Sequence, residues 1–351
     1  MKVILASRGR TTGTACAVLA LAILLALPAG AQSAAPSRVV VAGRASIMVA
    51  DVLYAFPSAR TRVLAVAGAD QGLGYFLGAL DPAWAALPPL DRAASAETLA
   101  ALKPDLVVLK AAMKASLGPA LDAIGLRKLY LNLETPEDYA KDLAALGAAI
   151  GAEDRARELA AYYASRVADI GKKVSGRAKP RVLLVQASAG SGVWEAPPAA
   201  WMQTVMTKLA GGEPVWTAAA LGSGWTRLGA EEIAAMNPEV VVVVGYRDDA
   251  SALSAAFATD PRFAATKAVL AGRVLAMPQD FYSWDQPDTR WILGLAWLAR
   301  ALHPDAFAGA PLEVEVRSFF QTFYGIDRAK FDTLIAPRLK GDHGIDTPEG
   351  R

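Results

Sequence analysis

The sequence predicts an α/β protein of two lobes, each with a mainly parallel sheet flanked by helices, joined by one long helix. Three observations predict it. Short apolar runs alternate with helical stretches along most of the 351 residues, the pattern of βαβ units. One unit occurs twice. Residues 96–110 (AETLAALKPDLVVLK) and 230–244 (AEEIAAMNPEVVVVV) align without a gap, Glu97 on Glu231, Pro104 on Pro238 and Asp105 on Glu239. Between the copies lies one long amphipathic stretch, 152–174. Two similar units so far apart imply two lobes, and two lobes imply a cleft.

The first residues read as a targeting segment. Lys2, Arg8 and Arg10 form a positive start, 15–27 (ACAVLALAILLAL) an apolar core, and Ala29-Gly30-Ala31 a small-residue cleavage site. This is the pattern of a secretory signal peptide over 1–31, and the core is short of the ~20 residues that span a bilayer. The only cysteine, Cys16, lies inside it, so the mature chain has no disulfide or thiol chemistry. Removing the segment leaves 33 basic and 34 acidic residues. A nearly neutral chain without a basic run gives no support for nucleic acid or a polybasic membrane patch.

The elements follow in order. Residues 38–42 (RVVVA) are a strand that ends at Gly43-Arg44-Ala45-Ser46. A helix follows with Val49, Val52, Leu53 and Phe56 at helical spacing. Residues 62–67 are a second strand, ending at Gly68-Ala69-Asp70-Gln71-Gly72. The first repeat copy gives a helix and the strand 105–109. Residues 116–124 are a helix and 127–133 a fourth strand. Residues 136–150 and 152–174 are helical. In the latter Leu159, Tyr162, Tyr163, Val167, Ile170 and Val174 form one stripe. At 1.5 Å per residue it spans roughly 34 Å, enough to join two lobes. The alternation resumes with strand 181–186, helix 199–210, the second repeat copy with strand 240–244, and strand 273–277. Residues 289–301 are an apolar helix, with Trp291 and Trp297 in the core, and 312–323 the last helix. The expected parts are an N-terminal lobe over 37–150, a linking helix over 151–176, a C-terminal lobe over 177–340 and a flexible tail over 341–351.

In open α/β sheets ligands lie beyond the carboxyl ends of the strands. The candidates there are Arg44, Ser46, Asp70, Gln71 and Lys110 in the first lobe. In the second they are Trp194, Glu195, Tyr246, Arg247, Tyr282, Trp284, Asp285 and Gln286. Trp225 and Arg227 lie just before the second repeated helix. Cations follow three strands and aromatics crowd the second lobe. Arginine clamps oxyanions and tryptophan offers a broad apolar wall, a combination suited to a bulky anionic or chelate ligand. Plainer roles compete. Arg247 can pair with Asp248 and Asp249, and Asp285 or Asp288 can be a helix cap. Only His303 and His343 are present, so a histidine-built metal site is not expected, nor a resident cofactor. No phosphate loop, G-x-G-x-x-G or G-x-S-x-G motif occurs. A carboxylate pair, Glu195 and Asp285, is the one arrangement left for a secreted hydrolase.

The signal peptide, the duplicated Glu-x-Leu/Ile-x-x-Leu/Met-x-Pro-Asp/Glu-strand unit, the 152–174 helix and Trp284-Asp285-Gln286-Pro287 leading to Leu302-His303-Pro304 together resemble one family. It is that of the periplasmic solute-binding proteins of ABC importers for ferric siderophores, haem and cobalamin, whose molybdate- and tungstate-binding relatives share the fold. The resemblance implies two rigid lobes with limited hinge motion and a ligand between them. It also implies a non-enzymatic, monomeric protein of the periplasm, partnered by an inner-membrane permease and its ATPase. In the cobalamin-binding relatives one glutamate per lobe docks on permease arginines; by the motif these fall on Glu97 and Glu231. An iron–siderophore-like chelate is the expected ligand, with haem, cobalamin or molybdate as rivals and a sensory role as a further one.

Overall fold

The computed structural model describes residues 35–345 apart from 69–71 and 221. The predicted signal peptide, Asp70 and Gln71 lie outside the described residues.

The first lobe is built on a four-stranded, all-parallel sheet. Its strands are β1 (Val39–Val41), β2 (Val63–Val66), β3 (Leu106–Lys110) and β4 (Lys128–Leu131), in the order β2-β1-β3-β4. Both faces are covered by helices: α1 (Ser46–Tyr54), α2 (Ala96–Ala101) and α3 (Lys114–Ala123). Every residue of β1 and β3 is buried, which is why these runs are apolar without alternation. Next, α4 (Pro136–Ile150) turns at Gly151, in the left-handed region at φ 69°, into the 22-residue α5 (Glu153–Val174). Its stripe buries Leu159, Tyr163 and Ile170.

The second sheet is mixed. Its strands are β5 (Arg181–Gln186), β6 (Trp194–Ala196), β7 (Glu213–Pro214), β8 (Thr226–Leu228), β9 (Val240–Val244) and β10 (Val274–Ala276). β10-β9-β5 is parallel, β7 pairs β5 in parallel, and β6 and β8 add an antiparallel edge. The helices are α6 (Met202–Leu209), α7 (Ala230–Met236), α8 (Ala250–Thr259), α9 (Trp291–Leu302) and α10 (Leu312–Tyr324). The antiparallel edge is absent from the sequence reading, because three-residue strands leave no periodicity to read.

The repeated units sit at equivalent places: β3 lies between β1 and β4, and β9 between β5 and β10. Trp291 and Trp297 are core residues, as their apolar helix predicts. Trp291 stacks on Tyr163 of α5 at 5.0 Å and an interplanar angle of 7°.

Two features depart from a simple chain of lobes. Helix α10 returns to the first lobe, where Tyr324 and Phe320 meet Phe76 at 4.7 and 6.0 Å. Arg155 of α5 ties the two by donating to Ala55 O and Thr322 O. Residues 341–345, expected to be part of a flexible tail, are docked. Trp297 Nε1 donates to Asp342 O at 2.7 Å, Asp342 pairs with the backbone of Ala276, and Ile345 is buried. Residues 346–351 lie outside the described residues.

Gly294 marks the tightest approach in α9. A Cβ there would lie 2.2 Å from Trp284 O, a backbone atom. Gly294→Ala is therefore expected to cost about 3 kcal/mol or more, at the upper end of overpacking penalties, with urea unfolding as the measurement. A loss under about 1 kcal/mol would show that the 284–294 corner yields.

Candidate functional site

A cleft of about 1170 Å³ opens between the two sheets. From the first lobe it is lined by the turn after β1 (Arg44, Ala45), Met48 of α1, residues 91–94 and the segment after β3. The second lobe contributes Trp201, Gln203, Trp225, Tyr246, Gln286 and Pro287.

The cationic side starts at a turn. Gly43 and Ala45 take left-handed φ of 81° and 54°, which reverses the chain directly after β1 and leaves Arg44 exposed between them. Among the described residues Arg44 makes no hydrogen bond or ion pair. Helix α1 starts here without a side-chain cap, so its positive end adds to the same potential. Ser46 does not face the cleft; it is buried and its hydroxyl donates to Ala67 O at 2.8 Å. Lys110 borders the cleft but does not offer the free cation expected of it. Its Nζ is 2.7 Å from Glu134 Oε1 and 2.5 Å from Asn132 O, and only 6% of the residue is exposed.

The opposite wall is aromatic. Trp225 stands edge-to-face against Trp201 and Tyr246, at 5.8 and 5.9 Å. Behind Tyr246 lies Asp285, fully buried. Its Oδ2 accepts from the Tyr246 hydroxyl at 2.7 Å and Gln203 Nε2 at 3.0 Å, and its Oδ1 accepts from Ser283 Oγ at 2.5 Å. Burial pushes the Asp285 carboxyl up, and these three donors oppose the rise. Burial, then the Asp285 carboxylate, raises the Tyr246 phenol well above its ordinary value. Asp285 thus lies under the cleft surface rather than on it.

Other candidates are elsewhere. Trp194 sits in β6, 5% exposed, packed on Phe257 and Phe263. Tyr282 and Trp284 are core: the Tyr282 ring lies against Arg290, and Trp284 Nε1 donates to Asp280 Oδ2 at 3.0 Å. The expected aromatic turn at 282–284 is thus inward: Tyr282 packs on the buried Arg290, and Trp284 bonds Asp280, the carboxylate that Arg290 also pairs with. Arg247 is exposed and does not line the cleft. Asp248 accepts from Ala189 N, and Asp249 from Ser251 N and Lys340 Nζ. Gln71 is not described, although its neighbour Gly72 donates to Tyr246 O at 2.9 Å. Among the described residues Glu195 and Asp285 share no partner; Glu195 Oε2 accepts from Gln186 Nε2. Among the described residues no group of three or more His, Cys, Asp or Glu is placed to hold a metal ion, and no helix is long and apolar enough to cross a membrane.

Trp201 and Gln203 were not legible as site residues. Both lie at the start of a predicted helix, and only the preceding Pro197-Pro198 signals that Trp201 opens it at the surface.

Glu97 and Glu231 are exposed at the starts of α2 and α7. The Ser95 hydroxyl and the Glu97 backbone N–H hold the Glu97 carboxyl below its ordinary value. In α7 the capping is done by Glu232, whose Oε2 accepts from Gly229 N at 2.7 Å. Capping therefore does not explain Glu231.

Residues 89–281 match the family described as periplasmic binding protein. The molybdate-binding protein MolA of Haemophilus influenzae is 30% identical over 108 residues, a match spanning 30% of this chain and 30% of MolA. Among solved structures, MolA bound to molybdate superposes with a TM-score of 0.66 at 20% identity, covering 84% of this chain and 95% of that one. A periplasmic solute-binding protein from Veillonella parvula gives 0.69 at 19% identity, covering 86% and 92%. A periplasmic heme-binding protein from Pseudomonas aeruginosa gives 0.59 at 23%, covering 77% and 93%.

Proposed function

Because this chain belongs to the periplasmic binding protein family of ABC transporters, we propose that it captures an anionic, iron–siderophore-like metal chelate in the cleft and delivers it to an inner-membrane permease. The observation that carries this reading is the cleft: about 1170 Å³, slightly above the usual ~300–1000 Å³ of small-molecule sites, walled by Trp201, Trp225 and Tyr246 and faced by Arg44. A bare tetraoxyanion fills little of that space and uses none of the aromatic surface. The protein performs no chemistry in this reading; Arg44 neutralises ligand charge and the aromatics pack against the ligand's apolar face. Glu97 and Glu231 meet the permease, one from each lobe, and the monomer acts in the periplasm.

Molybdate is the second reading. The match to MolA favours it, as does the uncapped start of α1 beside Arg44.

Trp201 and Trp225 are built-in reporters. Titration with ferric chelates, haem, cobalamin and molybdate is expected to quench tryptophan fluorescence with a ferric chelate. Chelate at a hundred times its Kd is expected to raise stability by about 2.7 kcal/mol. A response to molybdate alone would replace the chelate reading with the second one. Arg44→Ala is expected to weaken an anionic chelate by roughly tenfold to a hundredfold, the loss of one charged hydrogen bond, without lowering Tm. An unchanged affinity would remove Arg44 from the site.

A further inference from the structure

We infer that Gln203 selects ligands that bring a hydrogen-bond donor, and that Asp285 imposes this demand by fixing the direction of the Gln203 amide. The inference rests on reading the cleft as the ligand site.

Gln203 borders the cleft with only 2% of its surface exposed. Its Nε2 lies 3.0 Å from Asp285 Oδ2 and 3.4 Å from the Tyr246 hydroxyl. Its other polar atom, Oε1, is buried and has no hydrogen-bond partner among the described residues. A buried acceptor without a donor is costly and uncommon.

The amide direction follows from chemistry. Every group around Asp285 is a neutral donor: Ser283 Oγ at 2.5 Å, Tyr246 at 2.7 Å and Gln203. A carboxylate only accepts, so it holds the NH₂ half of the amide and turns the carbonyl half away. The result is an acceptor, backed by a carboxylate, under an aromatic wall. This part of the cleft takes an amide N–H or a hydroxyl. A fully deprotonated tetraoxyanion carries only acceptors and is disfavoured here. The two walls thus ask for different ends of one molecule: negative charge towards Arg44, donor-bearing planar groups towards Trp201, Trp225 and Gln203.

The test compares a ferric catecholamide chelate with its N-methylated counterpart, which lacks the amide N–H, by fluorescence quenching on the intact protein. The parent chelate is expected to bind about tenfold more tightly, the worth of one neutral hydrogen bond. In Gln203→Met the gap should close, the signature of a direct pairing in a two-by-two cycle. In the isosteric Asp285→Asn the new amide can donate to Gln203 Oε1 and turn Nε2 outward. Parent chelate should then weaken while molybdate, titrated at pH 8, gains. Equal affinity of the two chelates for the unaltered protein overturns the inference and leaves the transport reading standing. A gap that persists unchanged in Gln203→Met also overturns it. Binding of neither chelate removes the chelate reading of the cleft, and this inference with it. The chelate comparison needs no altered protein, so a variant that fails to fold does not blunt it.

Discussion

Arg290→Met is expected to lower folding stability by about 3–5 kcal/mol, the usual penalty for removing one partner of a buried ion pair. Arg290 is fully buried at the start of α9. Its Nε sits 2.8 and 2.9 Å from the two oxygens of Asp280, and its Nη1 2.9 Å from Asp51 Oδ2. Phe76, Tyr282 and Phe320 face the guanidinium at 4.4, 4.9 and 5.5 Å. Asp51 belongs to α1 in the first lobe, whereas Asp280 precedes α9. A third carboxyl, Asp288, accepts from Arg290 N; burial and then the Asp51 carboxylate push it well above the carboxylate range. Methionine fills the volume and leaves Asp51 and Asp280 without their cation. Arg290→Lys should recover only part of the loss, since an ammonium lacks the fork that reaches both carboxylates. Urea unfolding measures both variants. A loss below about 1 kcal/mol in Arg290→Met would show that water or side-chain movement satisfies the carboxylates, and that the cluster does not hold the lobes.

The double reversal Glu97→Lys with Glu231→Lys is expected to abolish uptake while leaving ligand affinity within about twofold. Both side chains are exposed and neither borders the cleft. Yet each follows a cleft-lining segment by a few residues: 91–94 for Glu97 and Trp225 for Glu231. The ends of α2 and α7 that carry them therefore open on the cleft side. Exposed charges on a docking face act through complementarity, and like charge against like costs several kcal/mol. The measurement pairs cellular uptake, or stimulation of the transporter's ATPase, with fluorescence titration of the isolated protein. Normal uptake by the double variant would dismiss docking through these residues. Lost ligand affinity would instead place them in the site.

Much of the architecture was legible in the sequence because β1, β3, β9 and residues 182–185 of β5 are buried on both faces, and so read as apolar runs. The duplicated unit marked an interior strand of each sheet, and the stripe on α5 marked the long helix. The site was legible only where backbone geometry dictates it. Arg44 follows a strand at a tight turn, and Tyr246 follows Gly245 after β9. Sequence gives a side chain's position on an element but not its direction once neighbours compete for it. Lys110 was visible as a cation after a strand; its neutralisation by Glu134, 24 positions on, was not. Tyr282 and Trp284 looked like exposed turn aromatics because nothing local announces that the Arg290–Asp280 pair they pack on and bond to is buried. Gln203 carries no signal of its own, since its role depends on Asp285, 82 residues away.

The return of α10 to the first lobe has a consequence for the order in which the molecule can be built. Tyr324 reaches back to Asp51 O across 273 positions and shares a hydrogen bond with Thr289, which itself bonds the Asp51 carboxylate. Asp51 leaves the ribosome among the earliest described residues and waits for partners made near the end. Phe76, likewise early, lacks Phe320 and Tyr324 until then. Contacts this distant along the chain slow folding, and a lobe missing its closing helix remains loose. The first lobe is therefore expected to close its packing only once α10 has been made.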